Sequence, residues 1–462
     1  MIHDIITEQA KFFADGMQSV MRGHENRTRR VMLLKGNLVQ NIRTESRGIS
    51  ARVTKNGYYG FSSAASYTVE DAKKVLKEAT ENAAFLSSHA AGSRKGYPAL
   101  ASGTIPPYQV IVDFEQKRII EACRTIDAYI EKTYPDLLSR SITYTEDSQD
   151  KIIVTSDAAS GHVTYPRCYI YVKMTALATL TGAPVEVTEI FGGWGSFEDN
   201  FKEVEPLFPT IDQLYQQLME KKEGIYAEAG NKLVILGGKM AGMLAHEAVG
   251  HTVEADLVMG GSVAGPNLGK PVASELVTLI DYAHTALGKT VPLPVYLDDE
   301  GTIAKDAVLI KDGILTGYMN SRESAEYFGM EPCGNARAWD INDEPLIRMR
   351  NTAILPGTNT LEEMIASIDD GYYLLNTSNG QADVTGEFMF GVSMGYEIKK
   401  GKLGKAILDT TVSGLAFDML KTVDMLSDRL YWESSGFCGK KQRMPVGLAG
   451  PDMRCRITIG GK

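Results

Sequence analysis

The sequence predicts an α+β protein: a mixed helix-and-strand domain over residues 1–225, then a strand-rich domain over residues 226–462 that carries one helix of unusual chemistry. Three observations predict it. The chain has 462 residues, more than one hydrophobic core usually serves, so at least two domains are expected. Runs of alternating apolar and polar residues, bounded by Gly, Asn and Ser, are interrupted by segments of helical period. Near residue 225 the texture changes, and strand-like runs dominate from there on.

Composition narrows the function classes. Hydrophobic residues make up 44% and charged residues 23%, an ordinary globular balance. The net charge of −10 argues against a nucleic-acid partner, because a phosphate backbone attracts a basic surface. No apolar run reaches the roughly 18 residues a membrane helix needs. The five cysteines, odd in number and scattered, read as reduced thiols of a cytoplasmic protein.

The first element expected is a helix over 4–22. Its acidic residues Asp4, Glu8 and Asp15 suit a folded amphipathic helix better than a secretory leader. Short strands follow in "RRVMLLKG", "NLVQNIRTES", "GISARVTKNG" and "YYGFSSA", with "KNG" forming a hairpin turn. A helix is expected from Val69 to Leu86, where Ala72, Val75, Leu76 and Ala79 share one face. Residues 91–108, rich in Gly, Ser and Pro, read as a long loop. A third helix spans Asp113 to Lys132. "RSITYTEDSQDKIIVTSDA" reads as two strands around a polar turn, and "CYIYVKMTALAT" as one more. A helix over 211–230, closed by its glycine, ends the first domain.

In the second domain "NKLVILGG" is a strand and "MAGMLAHEAVGH" a helix. Strands are then expected in "VYLDDEGT", "AVLIKDGILTGYM", "EFMFGVSMGYEIKKGKLGKA" and "MRCRITIGG". Two short helices interrupt them, at Leu361–Ile368 and Ser413–Leu426. The "GPNLGKP" run, from Gly265 to Pro271, has the wrong spacing for a phosphate loop, and Pro271 replaces its Ser or Thr.

The stretch "GMLAHEAVGHTVEAD", residues 242–256, carries the chemistry. It resembles the helical zinc-protease signature H-E-x-x-H with one residue added between Glu247 and the second histidine. Residues five apart on a regular helix lie about 140° apart around the axis, so His246 and His251 would face different ways. Two arrangements bring them together. One is a single wide turn with i→i+5 bonding. The other ends the helix before His251, with Gly250 supplying the backbone conformation. The same residues could instead serve packing, with Leu244, Ala245, Ala248 and Val249 in a core. A catalytic metal site needs a third protein ligand and an open position. Glu254, Asp256, Cys438 and Cys333 are the candidates. Cys438 lies between Gly436 and Gly439, which permit close approach, and beside Lys440 and Lys441, which favour a thiolate. Cys455 alternates with Met453 and Ile457 and reads as core.

Several segments taken in order resemble the TldD/PmbA family, whose members are also known as modulators of DNA gyrase. They are "HEAVGHTVEAD", "VASELVTLID", "DDEGTIAKDAVLIKDGILTGYM", "GNAR", "RMRNTAILPG" and "GFCGKKQR…PVGLAGP…ITIGG". "GISARVTKNGYYGFSSA" resembles the family's glycine-rich strand pair, so the likeness spans nearly the whole chain. TldD-like members keep HExxxH and are metallopeptidases; TldE/PmbA-like members usually lack it and act as partners. The resemblance therefore implies a zinc-dependent peptidase acting on small or unfolded peptides. It further implies one Zn2+ per chain on His246, His251 and Cys438, with Glu247 as the catalytic carboxylate. It implies a dimer, either of two like chains or with a TldE/PmbA-like chain. The family usually has Gly-Gln after Cys-Gly-Lys-x; here Lys441, Gln442 and Arg443 follow Lys440. One thiolate among the ligands leaves the centre less positive than three imidazoles would, which puts more of the proton transfer on Glu247. Asn335 and Arg337 could steady an oxyanion or form a structural turn. The alternative function is a non-catalytic partner or regulatory subunit.

Overall fold

The computed structural model describes residues 2–90, 92, 94–105 and 115–460. Helix α1 (Ile2–Gln9) continues for one tight turn to Phe12. The expected helix over 4–22 therefore stops early: Gly16 adopts φ 72°, and strand β1 (Gln18–Leu34) follows. Val20 and Met21 are both buried, because β1 is covered on both faces there. Two adjacent apolar residues carry no period, which is why this segment read as helix.

The short strands expected next merge into two long ones, β1 and β2 (Asn37–Lys55), followed by β3 (Tyr58–Ala64). Both connections are two-residue turns with positive φ at each residue. Lys35–Gly36 has φ 48° and 79°, and Asn56–Gly57 has φ 51° and 73°, the geometry that matches strand twist in a hairpin. Helix α2 (Val69–His89) buries Ala72, Val75, Leu76 and Ala79 as expected, and Ala83 as well. The expected 91–108 loop holds a short strand, β4 (Gly103–Ile105), and its residues 91, 93 and 106–108 lie outside the described residues. Helix α3 spans Gln116–Thr133; the start expected at Asp113 also lies outside them.

Strand β5 (Ser139–Thr155) is one continuous strand, where two around a polar turn were expected. Its polar centre does not mark solvent. Asp147, Ser148, Gln149 and Lys151 are all buried. Lys151 Nζ donates to Asp299 Oδ2 at 2.9 Å, and Gln149 Nε2 donates to the Trp339 carbonyl at 3.0 Å. Polar residues that find partners in the other half of the chain can sit in mid-strand, because those partners offset the cost of desolvation. With β6 (Ala159–Leu177) and β7 (Pro184–Trp194), the first sheet has the order β3-β2-β1-β5-β6-β4, and β7 adds onto β6. Two further helices follow, α4 (Phe197–Phe201) and α5 (Phe208–Lys222). The latter ends before the expected 230, and Gly230 opens the next strand instead of closing the helix.

From residue 230 the chain builds two larger sheets. One joins 370–382, β8 (Gly230–Leu236), 453–459, 410–415, 387–399 and 402–406; the other joins 314–315, 307–311, 279–282, 351–354, 447–450 and 431–433. Of the two short helices expected, one spans Leu361–Ala366. The other shrinks to Ala416–Leu420, because strand pairing claims the residues on either side. "VYLDDEGT" forms a turn and no extended strand: Asp298 Oδ1 accepts from the backbone N–H groups of Glu300 and Thr302. Asp299 pairs with Lys151 and Arg22, and Glu300 with Arg52, linking this turn to the first sheet. Helix α6 (Gly238–Leu244) packs on strands of both C-terminal sheets. Met240, Leu244, Ala245, Ala248 and Val249 lie in their shared core. The packing expected of "LAHEAVGH" and the metal geometry described next thus coexist on one helix. No helix among the described residues is long and apolar enough to cross a membrane.

Candidate metal centre

Past α6, residues Ala245–Gly250 form a wide π-helical turn, in which His251 N–H donates to the His246 carbonyl, an i→i+5 bond. Of the two arrangements the spacing allowed, the chain adopts the wide turn. The added residue is absorbed and both imidazoles face one point, their ring centroids 5.3 Å apart at 74°. Gly250 does not supply a special backbone conformation: its φ −53° and ψ −48° are ordinary helical values. It supplies room. A Cβ there would lie 2.1 Å from Met349 Sδ and 3.1 Å from the Ala245 carbonyl oxygen, too close for a packed core.

Cys438 arrives 187 residues after His251 and brings Sγ to 3.3 Å from His251 Nε2. The potential ligand atoms of His246, His251 and Cys438 all lie within 4.8 Å of one another, and they form the one such group of three among the described residues. Cys438 rides on a short hairpin, Phe437–Cys438 paired with Met444–Pro445. The fully buried Arg348 organises that hairpin. It donates to the carbonyls of Cys438 at 2.8 Å, Gln442 at 2.6 Å and Lys440 at 3.1 Å. The flanking glycines do not serve close approach, since a Cβ on Gly436 or Gly439 would meet open space.

The electrostatics of the cluster are those of a preformed thiolate. Burial pushes the Cys438 thiol up, but the adjoining His246 and His251 rings outweigh it and pull it down to about 3. Burial lowers His251, and its contacts with Cys438 and Glu254 raise it to about 10. Before any metal enters, the pair is thus thiolate and imidazolium, held together by charge. His246 is buried, and among the described residues neither of its ring nitrogens has a hydrogen-bond partner. Buried polar atoms are rarely left so. A borderline-soft divalent cation such as zinc fits the donor set of two imidazoles and one thiolate.

Glu247 stands at the rim. Its carboxylate oxygens lie 3.5 Å from His251 Nε2 and 3.9 Å from His246 Nε2, and its side chain keeps 23% of its surface exposed. Of the other candidate ligands, Glu254 accepts from His251 Nδ1 at 2.7 Å and Asp256 pairs with Lys440 at 3.0 Å. Cys333 lies outside the cluster, its Sγ donating to the Glu331 carbonyl. Cys455 is fully buried in a strand, as expected. Asn335 and Arg337 take the structural alternative. Asn335 donates to Asp281 and the Arg348 carbonyl, and Arg337 to the carbonyls of Met349 and Pro445. Sequence reasoning missed Arg348, although an arginine alternating with apolar residues in "LIRMR" signals a buried, paired guanidinium.

An α+β fold that gathers two imidazoles, a thiol and a rim carboxylate beside a buried helix has the donor set of a metal centre, as a member of a metallopeptidase family would. The chain belongs to the PmbA/TldD family: the profile of the PmbA/TldA metallopeptidase C-terminal domain matches residues 229–461, and that of domain 1 matches residues 21–83. A metalloprotease of Methanocaldococcus jannaschii is 32% identical over 426 residues, covering 89% of this chain and 90% of that one. A zinc metalloprotease TldD homolog of Saccharolobus solfataricus is 28% identical, covering 76% and 77%. The crystal structure of TldE from Thermococcus kodakarensis superposes with a TM-score of 0.75 at 14% identity, over 99% of this chain and 100% of that one, a likeness of fold.

Proposed function

We propose that this chain is a TldD-like, zinc-dependent peptidase that hydrolyses small or unfolded peptides, with a first domain over 1–225 and a catalytic domain over 226–462. The observation that carries the reading is the convergence of His246, His251 and Cys438 donor atoms within 4.8 Å, around a histidine whose ring nitrogens have no other partner among the described residues. One Zn2+ per chain would be held by these three residues and would supply Lewis-acid polarisation of a carbonyl and a more acidic water. Glu247 accepts the proton of the attacking water and returns it to the leaving amine, which is general base and then general acid work. Its place on the exposed side of the cluster leaves room for a peptide to approach. A buried thiolate ligand suits a reducing compartment, and we place the protein in the cytoplasm.

Purified protein should contain about one zinc per chain and cleave an unstructured peptide until a chelator removes the metal. Protein that takes up no zinc overturns the reading. Zinc without cleavage favours the non-catalytic partner reading.

For assembly, the proposal is pairing with a second chain of the same fold, as a homodimer or with a TldE/PmbA-like partner. Strand pairing with β3 begins only at Ile49, so among the described residues the outer edge of β2 over 37–48 has no neighbouring strand. Leu38, Val39 and Ile42 on it are 41%, 54% and 46% exposed. An open edge carrying apolar side chains is a template for another chain. Light scattering should give the mass of two chains for a homodimer, and Ile42→Lys should reduce it to one. An unchanged mass in that variant would remove this edge from the interface.

A further inference from the structure

The Glu254 side chain has no exposed surface, and an unpaired carboxylate at such depth is strongly disfavoured. Its two oxygens are held differently: one is hydrogen-bonded, and the other has no hydrogen-bond donor among the described residues and is met only by an ion-pair contact. One accepts from His251 Nδ1 at 2.7 Å; the other lies 3.1 Å from Lys440 Nζ. Lys440 also donates to both oxygens of Asp256, at 3.1 and 3.0 Å. Lys440 stands two residues beyond Cys438, while Glu254 and Asp256 follow His251 by three and five. The ammonium therefore ties the loop that carries the sulfur to the turn that carries the second imidazole.

We propose that Glu254 and Lys440 are positioning residues for the metal centre, acting as a clamp that holds His251 and Cys438 in register. The inference rests on the zinc reading above and adds to it the two groups that assemble the ligand set. Glu254 accepts a hydrogen bond from the Nδ1–H of His251, which leaves Nε2 directed at Cys438 as the ligand atom. Lys440 answers a charge problem. The Glu254 carboxylate is buried, and the ammonium that faces its second oxygen comes from the loop that carries Cys438. His246 needs no such device, because the core around α6 grips its ring, 2% exposed. The clamp thus acts on two of the three ligands and leaves the third alone.

The test uses the full chain, loaded with zinc and titrated with a competing chelator, and in parallel loaded with Co(II). Lys440→Met keeps the aliphatic stem and removes the charge. It should weaken zinc binding about 10–100-fold, the range expected for loss of an outer-shell partner, and it should reduce the sulfur-to-cobalt absorption band as the cysteine loop opens. Lys440→Arg restores the charge and should recover most of both. Glu254→Gln should lower zinc affinity while keeping the cobalt–sulfur band, because it loosens His251 and not Cys438. Circular dichroism of the metal-free variants separates these effects from misfolding, and Lys440, 11% exposed at its side chain, tolerates the change better than Glu254. Zinc affinity for Lys440→Met within twofold of the parent overturns the clamp while the zinc reading stands. A parent chain that takes up no zinc removes the zinc reading and the clamp with it.

Discussion

Glu247→Gln is expected to bind zinc like the parent and to lose peptide hydrolysis by about 10²–10⁴-fold, the usual contribution of a positioned acid–base group. The geometry separates the two properties. Glu247 is not one of the three converging donors; its oxygens stand 3.5 and 3.9 Å from the histidine nitrogens. With 23% of its side-chain surface exposed, it contributes little to the core, and an amide of the same shape should leave stability nearly unchanged. An amide cannot take up the proton of the attacking water, so the loss should fall on kcat and hardly on KM. The measurement is peptide cleavage by the variant with its zinc content determined in the same sample. Full activity in a zinc-loaded Gln variant would remove Glu247 from the reaction, and a zinc-free variant would make it a ligand.

The candidate site was legible in the sequence to different depths, and the differences have physical causes. His246 and His251 were visible because their types and adjacency to Glu247 are local. Their convergence was not, because a regular helix would set them about 140° apart, and only a break in that helix brings them together. Met349, about a hundred residues away in sequence, packs against Gly250 at the end of the wide turn. The glycines and lysines around Cys438 made it one candidate ligand among four; only family resemblance joined it to His251, 187 residues earlier. Glu254 and Asp256 were visible as carboxylates near a histidine, and their spacing alone cannot tell a ligand from the partner of a ligand. In the first sheet, the centre of β5 read as a turn because polarity was taken as exposure. Lys151 and Gln149 are instead buried against the 298–299 turn and the Trp339 carbonyl. Segments with a regular period and a definite end were read well. Thr68 caps α2 by accepting from the Asp71 N–H, and the Asn56–Gly57 turn has the backbone its residues favour.

Cys438→Ser should abolish tight zinc binding, with an affinity loss well beyond the 10–100-fold expected for an outer-shell change. A serine hydroxyl in this place stays protonated, whereas the Cys438 thiol, pulled down to about 3 by the adjoining imidazoles, is already a thiolate at neutral pH. The substitution therefore removes a charge as well as a donor atom. Its consequence for folding can be read without any substrate. A ligand that binds only the folded chain stabilises it by RT ln(1 + [L]/Kd), about 4 kcal/mol when free zinc exceeds Kd a thousandfold. The parent protein should accordingly lose several degrees of Tm when a chelator is added, and Cys438→Ser should melt at the same temperature with or without it. The metal-free variant should still fold, because Cys438 is one small residue of the large apolar cluster that the two C-terminal sheets share with α6. Differential scanning calorimetry with and without chelator, on parent and variant, makes the comparison. A parent Tm indifferent to the chelator, or a variant that keeps the full chelator-dependent shift, would place the metal elsewhere and leave Cys438 as a buried thiol that two histidines happen to ionise.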